Sequence, residues 1–478
     1  MYLILRVFLV LLPLCEPFDV SSRTIITDQW AGTIRSNPGS MYLKNQEYEW
    51  LIKVPTGGKY IELKFTAFST ECLYDYVSVY DSNEEETRLQ LAAISGNLRP
   101  LPDLISDTGQ LFIHLASDAD EVSLGFIANF SVTICPNNCN GKNGSKLLQR
   151  MLPRQGHTAD VIGDYLYIFG GYDLNMVLYS FKRLYFPSGN WSDVPIDTDC
   201  AAQLPKGRYM HSSVVYKDSL LYCGGFLQTR EIGGDCWLYN ITTACWSQYP
   251  DLPVPVTGHT ATLVPTGSVL LFGGLTGGDT DHFSCSLYEL DLTVRKLRWA
   301  PVTPAIYKCS EIRRYGHTAI YDPGSGSVVV FGGIVPIPHV RYEKSSDVLL
   351  FMVKKKVWSK LKITTEVAGL VFHSAVKLGR FMVVFGGNGY RETQNMHKES
   401  QQCFNPDTLI FDLGCMDWVT QLPQDATHKL ATLRYAHAAA VYQDSMVVVG
   451  GFNGQPRNDV LLYFPPREEC NVIHKVCV

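Results

Sequence analysis

His211-Ser212-Ser213-Val214-Val215-Tyr216-Lys217-Asp218-Ser219-Leu220-Leu221-Tyr222-Cys223-Gly224-Gly225 is the stretch whose reading decides the fold. Residues 213–216 read as a short strand and Lys217-Asp218-Ser219 as a polar turn. Residues 220–223 form a second, wholly apolar run, the pattern of a strand buried on both faces. The Gly pair then lets the backbone turn where a Cβ would not fit. Trp237-Leu238-Tyr239 supplies a third strand, and Trp246 adds bulk to pack between neighbouring units. The same grammar returns six times. The pairs are Gly170-Gly171, Gly224-Gly225, Gly273-Gly274, Gly332-Gly333, Gly386-Gly387 and Gly450-Gly451. His157, His211, His259, His317, His373 and His437 precede them by 13 to 15 residues, and Trp191, Trp246, Trp299, Trp358 and Trp418 follow the first five.

Successive pairs stand 49 to 64 residues apart, which resembles the period of kelch repeats, each one blade of a β-propeller. Four short strands per blade, arranged radially, leave only short protected edges. The expectation is a six-bladed propeller over residues 146–468. The sixth repeat stops after Val460-Leu461-Leu462-Tyr463, so Lys146-Leu147-Leu148-Gln149 is the candidate strand to close the ring. Six histidines at one place in six blades form a ring and do not converge on an ion. Their expected role is a hydrogen bond bracing each blade.

The net charge of -5 and a pI near 6.2 give no reason to expect nucleic acid. Lys354-Lys355-Lys356 falls where a blade hairpin turns and reads as a solvated turn. Residues 1–22 read as a signal peptide: Arg6, then an apolar run over residues 7–14 too brief to span a bilayer, then a polar break, with cleavage expected between Cys15 and Arg23. No later segment is long and apolar enough for a membrane helix. The product is expected to be secreted, or the ectodomain of a membrane protein if the chain is part of a longer one. Fourteen cysteines and four sequons, at Asn129, Asn143, Asn190 and Asn240, agree with an oxidising, glycosylating compartment. Spacing suggests the bridges Cys236–Cys245, Cys403–Cys415, Cys285–Cys309 and Cys470–Cys477, with Cys200 and Cys223 joined or not. Loss of Cys15 leaves an odd number, and Cys72 is the leading candidate for the free thiol.

Residues 23–134 lack the Gly-Gly repeat and carry evenly spaced apolar runs, which argue a β-sandwich. Glu71-Cys72-Leu73-Tyr74-Asp75-Tyr76-Val77-Ser78-Val79-Tyr80-Asp81, then Ser117-Asp118 and Gly125-Phe126, resemble a CUB domain. In calcium-binding CUB domains the corresponding Glu, Asp and Ser-Asp loop hold one ion. The resemblance implies Ca2+ on Glu71, Asp75 and Asp118, with Asp120 as a helper; hard oxygen donors on loops suit that ion. The alternative is that Asp75 and Asp118 merely accept from backbone N–H groups. Glu71 sits nearer Asp75 than the usual pattern has it, and Tyr48 stands where the first CUB cysteine is expected. Residues 135–145, opening Cys135-Pro136-Asn137-Asn138-Cys139, look like a truncated EGF-like segment, and 469–478 form a cysteine-containing tail.

A CUB domain, an EGF opening and six kelch repeats in this order resemble the attractin family, down to Phe385-Gly386-Gly387-Asn388 and Gly450-Gly451-Phe452-Asn453. The resemblance implies extracellular or cell-surface protein partners in adhesion, guidance, immune-cell contact or the modulation of receptors such as the melanocortin type. Family members continue into further EGF-type and plexin-type modules, a membrane helix and a cytoplasmic tail. The inserts after the fourth and fifth Gly pairs, with Arg341, Tyr342, Glu343, Tyr390, Arg391, His397 and Lys398, are the candidate binding loops. The rival is a propeller enzyme of copper-oxidase or glycan-hydrolase type. No Gly-x-Ser-x-Gly elbow, His-Glu-x-x-His helix or phosphate loop supports it, so the chain is expected not to be an enzyme.

Overall fold

The computed structural model describes residues 20–464 apart from 38–40, 73, 86–88, 98–100, 120, 134–150, 201–202, 278–282, 305–307, 338–339, 390–403 and 420–431. The architecture is all-β: a CUB-type sandwich and a six-bladed kelch-type propeller. Blade 1 is an antiparallel sheet of Thr158–Ile162, Tyr165–Phe169, Phe181–Tyr185 and Asn190–Asp193, in that order. Blades 2 to 5 repeat it, with first strands at Ser212–Tyr216, Thr260–Leu263, Thr318–Asp322 and Ser374–Leu378. Blade 6 contains Ala438–Tyr442, Ser445–Val449 and Val460–Tyr463 among the described residues. The candidate closing strand at 146–149 lies outside them. Each second strand is almost entirely buried, as its unbroken apolar run requires.

First strands of successive blades touch all the way round, and Ala438–Tyr442 meets Thr158–Ile162 to complete the circle. A closed chain of backbone hydrogen bonds marks the axis. Gly156 N–H donates to Ala436 O, Ala436 to Phe372, Phe372 to Gly316, Gly316 to Gly258, Gly258 to Met210, and Met210 back to Gly156, at 2.7–2.9 Å. All six residues have φ between 51° and 69°. That region suits Gly and strains Met210, Phe372 and Ala436, each at a cost of about 1 kcal/mol. Each stands immediately before its blade's histidine.

The Gly pair is explained by two histidines. A Cβ on the first Gly would lie 2.7–3.0 Å from Cε1 of the next blade's His, and one on the second would lie 2.6–3.1 Å from Cβ of its own blade's His. Five of the six histidines make a hydrogen bond of the expected kind, but it joins neighbouring blades and does not brace a single one. Nε2 of His211, His259, His317, His373 and His437 bonds the hydroxyl of Thr158, Ser212, Thr260, Thr318 and Ser374 on the preceding blade, at 2.7–3.0 Å. The tryptophans fill the same junctions: Trp246 packs on Phe169, Trp358 on Phe272 and Trp418 on Phe331.

In the sandwich, Val20–Ile26, Glu47–Lys53, Gln110–Ala116, Tyr76–Tyr80 and Gln90–Ile94 form one sheet. Ala31–Arg35, Gly125–Thr133, Tyr60–Ser69 and Asp103–Ser106 form the other. Its first strand begins at Val20 and pairs in parallel from Val20↔Glu47. The boundary read at residue 23 falls within this strand. The sandwich rests on the propeller end that carries the Gly pairs. Tyr76, Ala93 and Ser95 face Phe404, Tyr435, Phe452 and Gly454.

Cysteine pairing differs from the sequence reading. Cys236 does not bridge Cys245: in that hairpin Cys236 lies opposite Tyr249 and Cys245 opposite Asn240, at opposite ends. Cys236 instead lies opposite Cys223 on the neighbouring strand and bonds it, and Cys245 bonds Cys200, with Cα–Cα distances of 4.3 and 6.0 Å. Cys285 and Cys309 are joined. Cys72 is disulfide-bonded, so it is not the free thiol. Cys415 is bonded too; Cys403, Cys470 and Cys477 lie outside the described residues.

Candidate functional site

Three loops of the sandwich meet at one end. The loop before Glu47–Lys53 brings Tyr42, the turn into Tyr76–Tyr80 brings Glu71 and Asp75, and the loop after Gln110–Ala116 brings Asp118. Glu71, Asp75 and Asp118 each place a carboxylate oxygen within 4.8 Å of the others. Asp75 is fully buried and Asp118 nearly so, while Glu71 is half-buried. The three residues named from sequence are thus brought together; Asp120 lies outside the described residues.

A hydrogen-bond frame holds them. The Tyr42 hydroxyl donates to Asp75 Oδ2 at 2.5 Å and accepts from Glu71 N–H at 2.9 Å. Asp118 N–H donates to Asp75 Oδ1 at 2.8 Å, and Glu121 N–H donates to Glu71 Oε2 at 3.2 Å. Asp75 does what the plainer alternative asks of it, accepting a backbone N–H. Glu71 likewise accepts the Glu121 N–H, but that alternative does not account for three carboxyls crowded within 4.8 Å. Burial, then the charges of Asp118 and Asp75, push the Glu71 carboxyl from 4.5 up to about 9. Three carboxylates this close do not all ionise unless a cation joins them. Their donor set of hard oxygens on adjoining loops fits Ca2+. Exposed apolar side chains border them: Met41 and Leu43 on either side of Tyr42, Tyr74 beside Asp75, and Leu124. Sequence reasoning missed this border and missed Tyr42, which lies 29 residues from Glu71 in the chain.

The second described group close enough to share an ion, Asp197, Cys200 and Cys245, has both sulfurs in one disulfide. The propeller histidines are committed to the junctions, and burial holds all six well below the ordinary 6.5. Four buried arginines also escaped notice. Arg154, Arg208, Arg314 and Arg434 stand three residues before a His and donate to the carbonyl of their blade's first Gly at 2.8–3.1 Å. Arg208 and Arg434 add ion pairs to Asp235 and Asp459. They brace the blades.

Of the sequons, Asn129 and Asn190 are exposed, while Asn240 is half-buried and donates to Ser219 Oγ; Asn143 lies outside the described residues. Of the candidate binding loops, Ile334–Ile337 and Val340–Lys344 form a hairpin, and Tyr342 stacks on Phe283 at 5.3 Å. Tyr390, Arg391, His397 and Lys398 fall outside the described residues. Lys354, Lys355 and Lys356 are exposed on a blade turn.

Residues 166–461 match the family model of the attractin/LZTR1 β-propeller, and residues 23–130 match that of the CUB domain. The chain is 26% identical to multiple epidermal growth factor-like domains protein 8 of mouse over 94% of its own length and 19% of the mouse protein. The human protein of that name gives the same identity over 18% of its length. Putative protein tag-53 of Caenorhabditis elegans is 22% identical over 93% of this chain and 39% of its own length. The chain thus spans well under half of these relatives.

Proposed function

Because the chain belongs to the attractin/LZTR1 β-propeller family, and carries a CUB domain beside the propeller, we propose that it is a secreted, glycosylated and non-catalytic protein-binding module acting at cell surfaces, in adhesion, guidance or receptor modulation. The partner is met at the acidic loops of the sandwich. The observation that carries this is the convergence of Glu71, Asp75 and Asp118 inside a border of exposed Met41, Leu43, Tyr74 and Leu124. A bound Ca2+ would supply fixed positive charge that draws the three loops together. Tyr42 then positions Asp75, the Asp118 amide orients its other oxygen, and the apolar border excludes water from a docked surface. Fully desolvated contacts of this kind dominate binding energy. Among the described residues, Asn129 and Asn190 are the exposed sequons.

Against catalysis stand the commitments of the residues a propeller enzyme would draw on. Five of the six histidines bond hydroxyls across blade junctions and the sixth, His157, is buried at its own, and Tyr172, Tyr209, Tyr315 and Tyr435 at the propeller end are buried. Stoichiometric copper in the purified protein would restore the oxidase reading. The test of the proposed function is saturable binding of the secreted chain to a panel of cell surfaces, with calcium and then with a chelator. Binding lost on chelation and in Asp75→Ala/Asp118→Ala, with secretion unchanged, is the expected result. Binding indifferent to both would move the site to the propeller, and none at all would overturn the reading.

A further inference from the structure

Neighbouring blades are held by three recurring bonds. The first is the axial N–H to C=O bond between residues preceding the histidines. In the second, the second Gly's N–H donates to the next blade: Gly171 to Arg208 O, Gly225 to Val256 O, Gly274 to Arg314 O, Gly333 to Leu370 O, Gly387 to Arg434 O, and Gly451 to Arg154 O. The third is the histidine–hydroxyl bond, and among the described residues one junction lacks it. The residue after His437 is Ala438, where the other blades have Ser or Thr. His157, which crosses to that position, meets no hydroxyl there among the described residues and has only the poorly aligned Val449 carbonyl beside its ring. This is the junction of blades 6 and 1, the pair that are not consecutive in the chain.

The sandwich sits across that same junction. Gln90–Ile94 is an edge strand, and an edge presents unpaired N–H and C=O groups. Here they are taken up by both flanking blades. Gln90 N–H donates to Asn175 Oδ1 of blade 1 at 3.0 Å. Ala93 N–H donates to Gly454 O of blade 6 at 3.1 Å. Gln455 Nε2, also of blade 6, donates to Leu91 O at 3.3 Å. Tyr76 packs beside them against Tyr435 and Phe452 of blade 6 and Phe404 of blade 5.

We propose that the CUB domain is the clasp of the propeller: its edge strand Gln90–Ile94 ties the Asn175 loop of blade 1 to the Gly454–Gln455 turn of blade 6, across the junction that has no histidine–hydroxyl bond. The intramolecular partner of this propeller end is therefore the chain's own sandwich. The same contact hides the edge strand and withdraws the ends of blades 5, 6 and 1 from other proteins. None of this depends on a bound ion.

The test is hydrogen exchange by mass spectrometry on the full chain with Asn175→Ala and Gln455→Ala together. Both are loop residues whose side chains reach the sandwich, so each domain keeps its interior. Two lost hydrogen bonds predict amides of Thr158–Ile162 and Ala438–Tyr442 exchanging about tenfold faster, with Thr260–Leu263 and Thr318–Asp322 unchanged. Adding Ala438→Ser should slow the two junction strands again. Unchanged exchange at the junction, equal acceleration in all six blades, or acceleration that Ala438→Ser leaves untouched would overturn the proposal.

Discussion

Replacing Ala438 by Ser should make the protein more stable. The side chain is nearly buried, and in five equivalent positions a hydroxyl bonds the next blade's histidine at 2.7–3.0 Å. Ser212 and Ser374 show that serine reaches. The His157 ring is buried beside the Val449 carbonyl without a well-aligned bond. A net hydrogen bond is worth about 1 kcal/mol, and relieving a buried unsatisfied nitrogen adds to it, so the gain should be about 1–2 kcal/mol. With an unfolding entropy near 2.1 cal/mol/K per residue over roughly 300 propeller residues, that is a rise in Tm of about 2–3 °C. Ser374→Ala is the mirror experiment: it strands His437 and should cost about 1–3 kcal/mol. Calorimetry and equilibrium urea unfolding of both variants read the effect. A neutral or destabilising Ala438→Ser beside a costly Ser374→Ala would show that the sixth junction is built differently, and would refute the reasoning.

The Gly pairs offer a second comparison. Gly163 and Gly386 have nearly equal φ, 57° and 60°, but a Cβ on Gly163 meets nothing within 4 Å while one on Gly386 lies 2.5 Å from Arg434 O. Gly163→Ala should cost about 1 kcal/mol in urea unfolding, the backbone strain alone; Gly386→Ala should cost more than about 3 kcal/mol or block secretion. The propeller should also be acid-labile. Burial holds His259, His373 and His437 down at about 3, so the unfolded chain binds protons first. Stability is full above about pH 6.5 and falls toward pH 3, each buried histidine contributing about 1.4 kcal/mol per pH unit. Near-ultraviolet circular dichroism should collapse cooperatively between about pH 6 and pH 4; a signal retained at pH 4 would contradict it. Glu71 runs the other way. Its folded value of about 9 exceeds the ordinary 4.5, so without a cation its contribution is full below about pH 4.5 and declines as pH rises toward 9. Calcium uptake at pH 7.5 should therefore release close to one proton, seen as a binding heat that changes with the buffer's ionisation enthalpy.

The repeat was legible because the junction imposes one backbone demand six times, and Gly answers it each time. Its cause was not legible: the first Gly is required by a histidine of the following blade, some 40 residues later in sequence (Gly170 and His211, for instance). Register defeated the cysteine reading. Cys236 and Cys245 have hairpin spacing, yet the strands put Cys236 opposite Cys223. Arg154, Arg208, Arg314 and Arg434 were visible at a fixed offset from the histidines, but charge argued for the surface, and their burial depends on carbonyls freed by the Gly turns. The three acidic residues could be named because they lie in recognisable loops. Tyr42, which holds two of them together, carries no local signal. Nor does the clasp: Ala93 and Gly454 are far apart in sequence, and pairing between an edge strand and a turn leaves no periodicity.

Calcium titration calorimetry of the intact chain beside Asp75→Asn tests the central claim, that the acidic loops form a cation-organised binding site. One ion per chain and no binding in the variant are expected. A chain that takes up no calcium, or an Asp75→Asn variant that binds it unchanged, would contradict it.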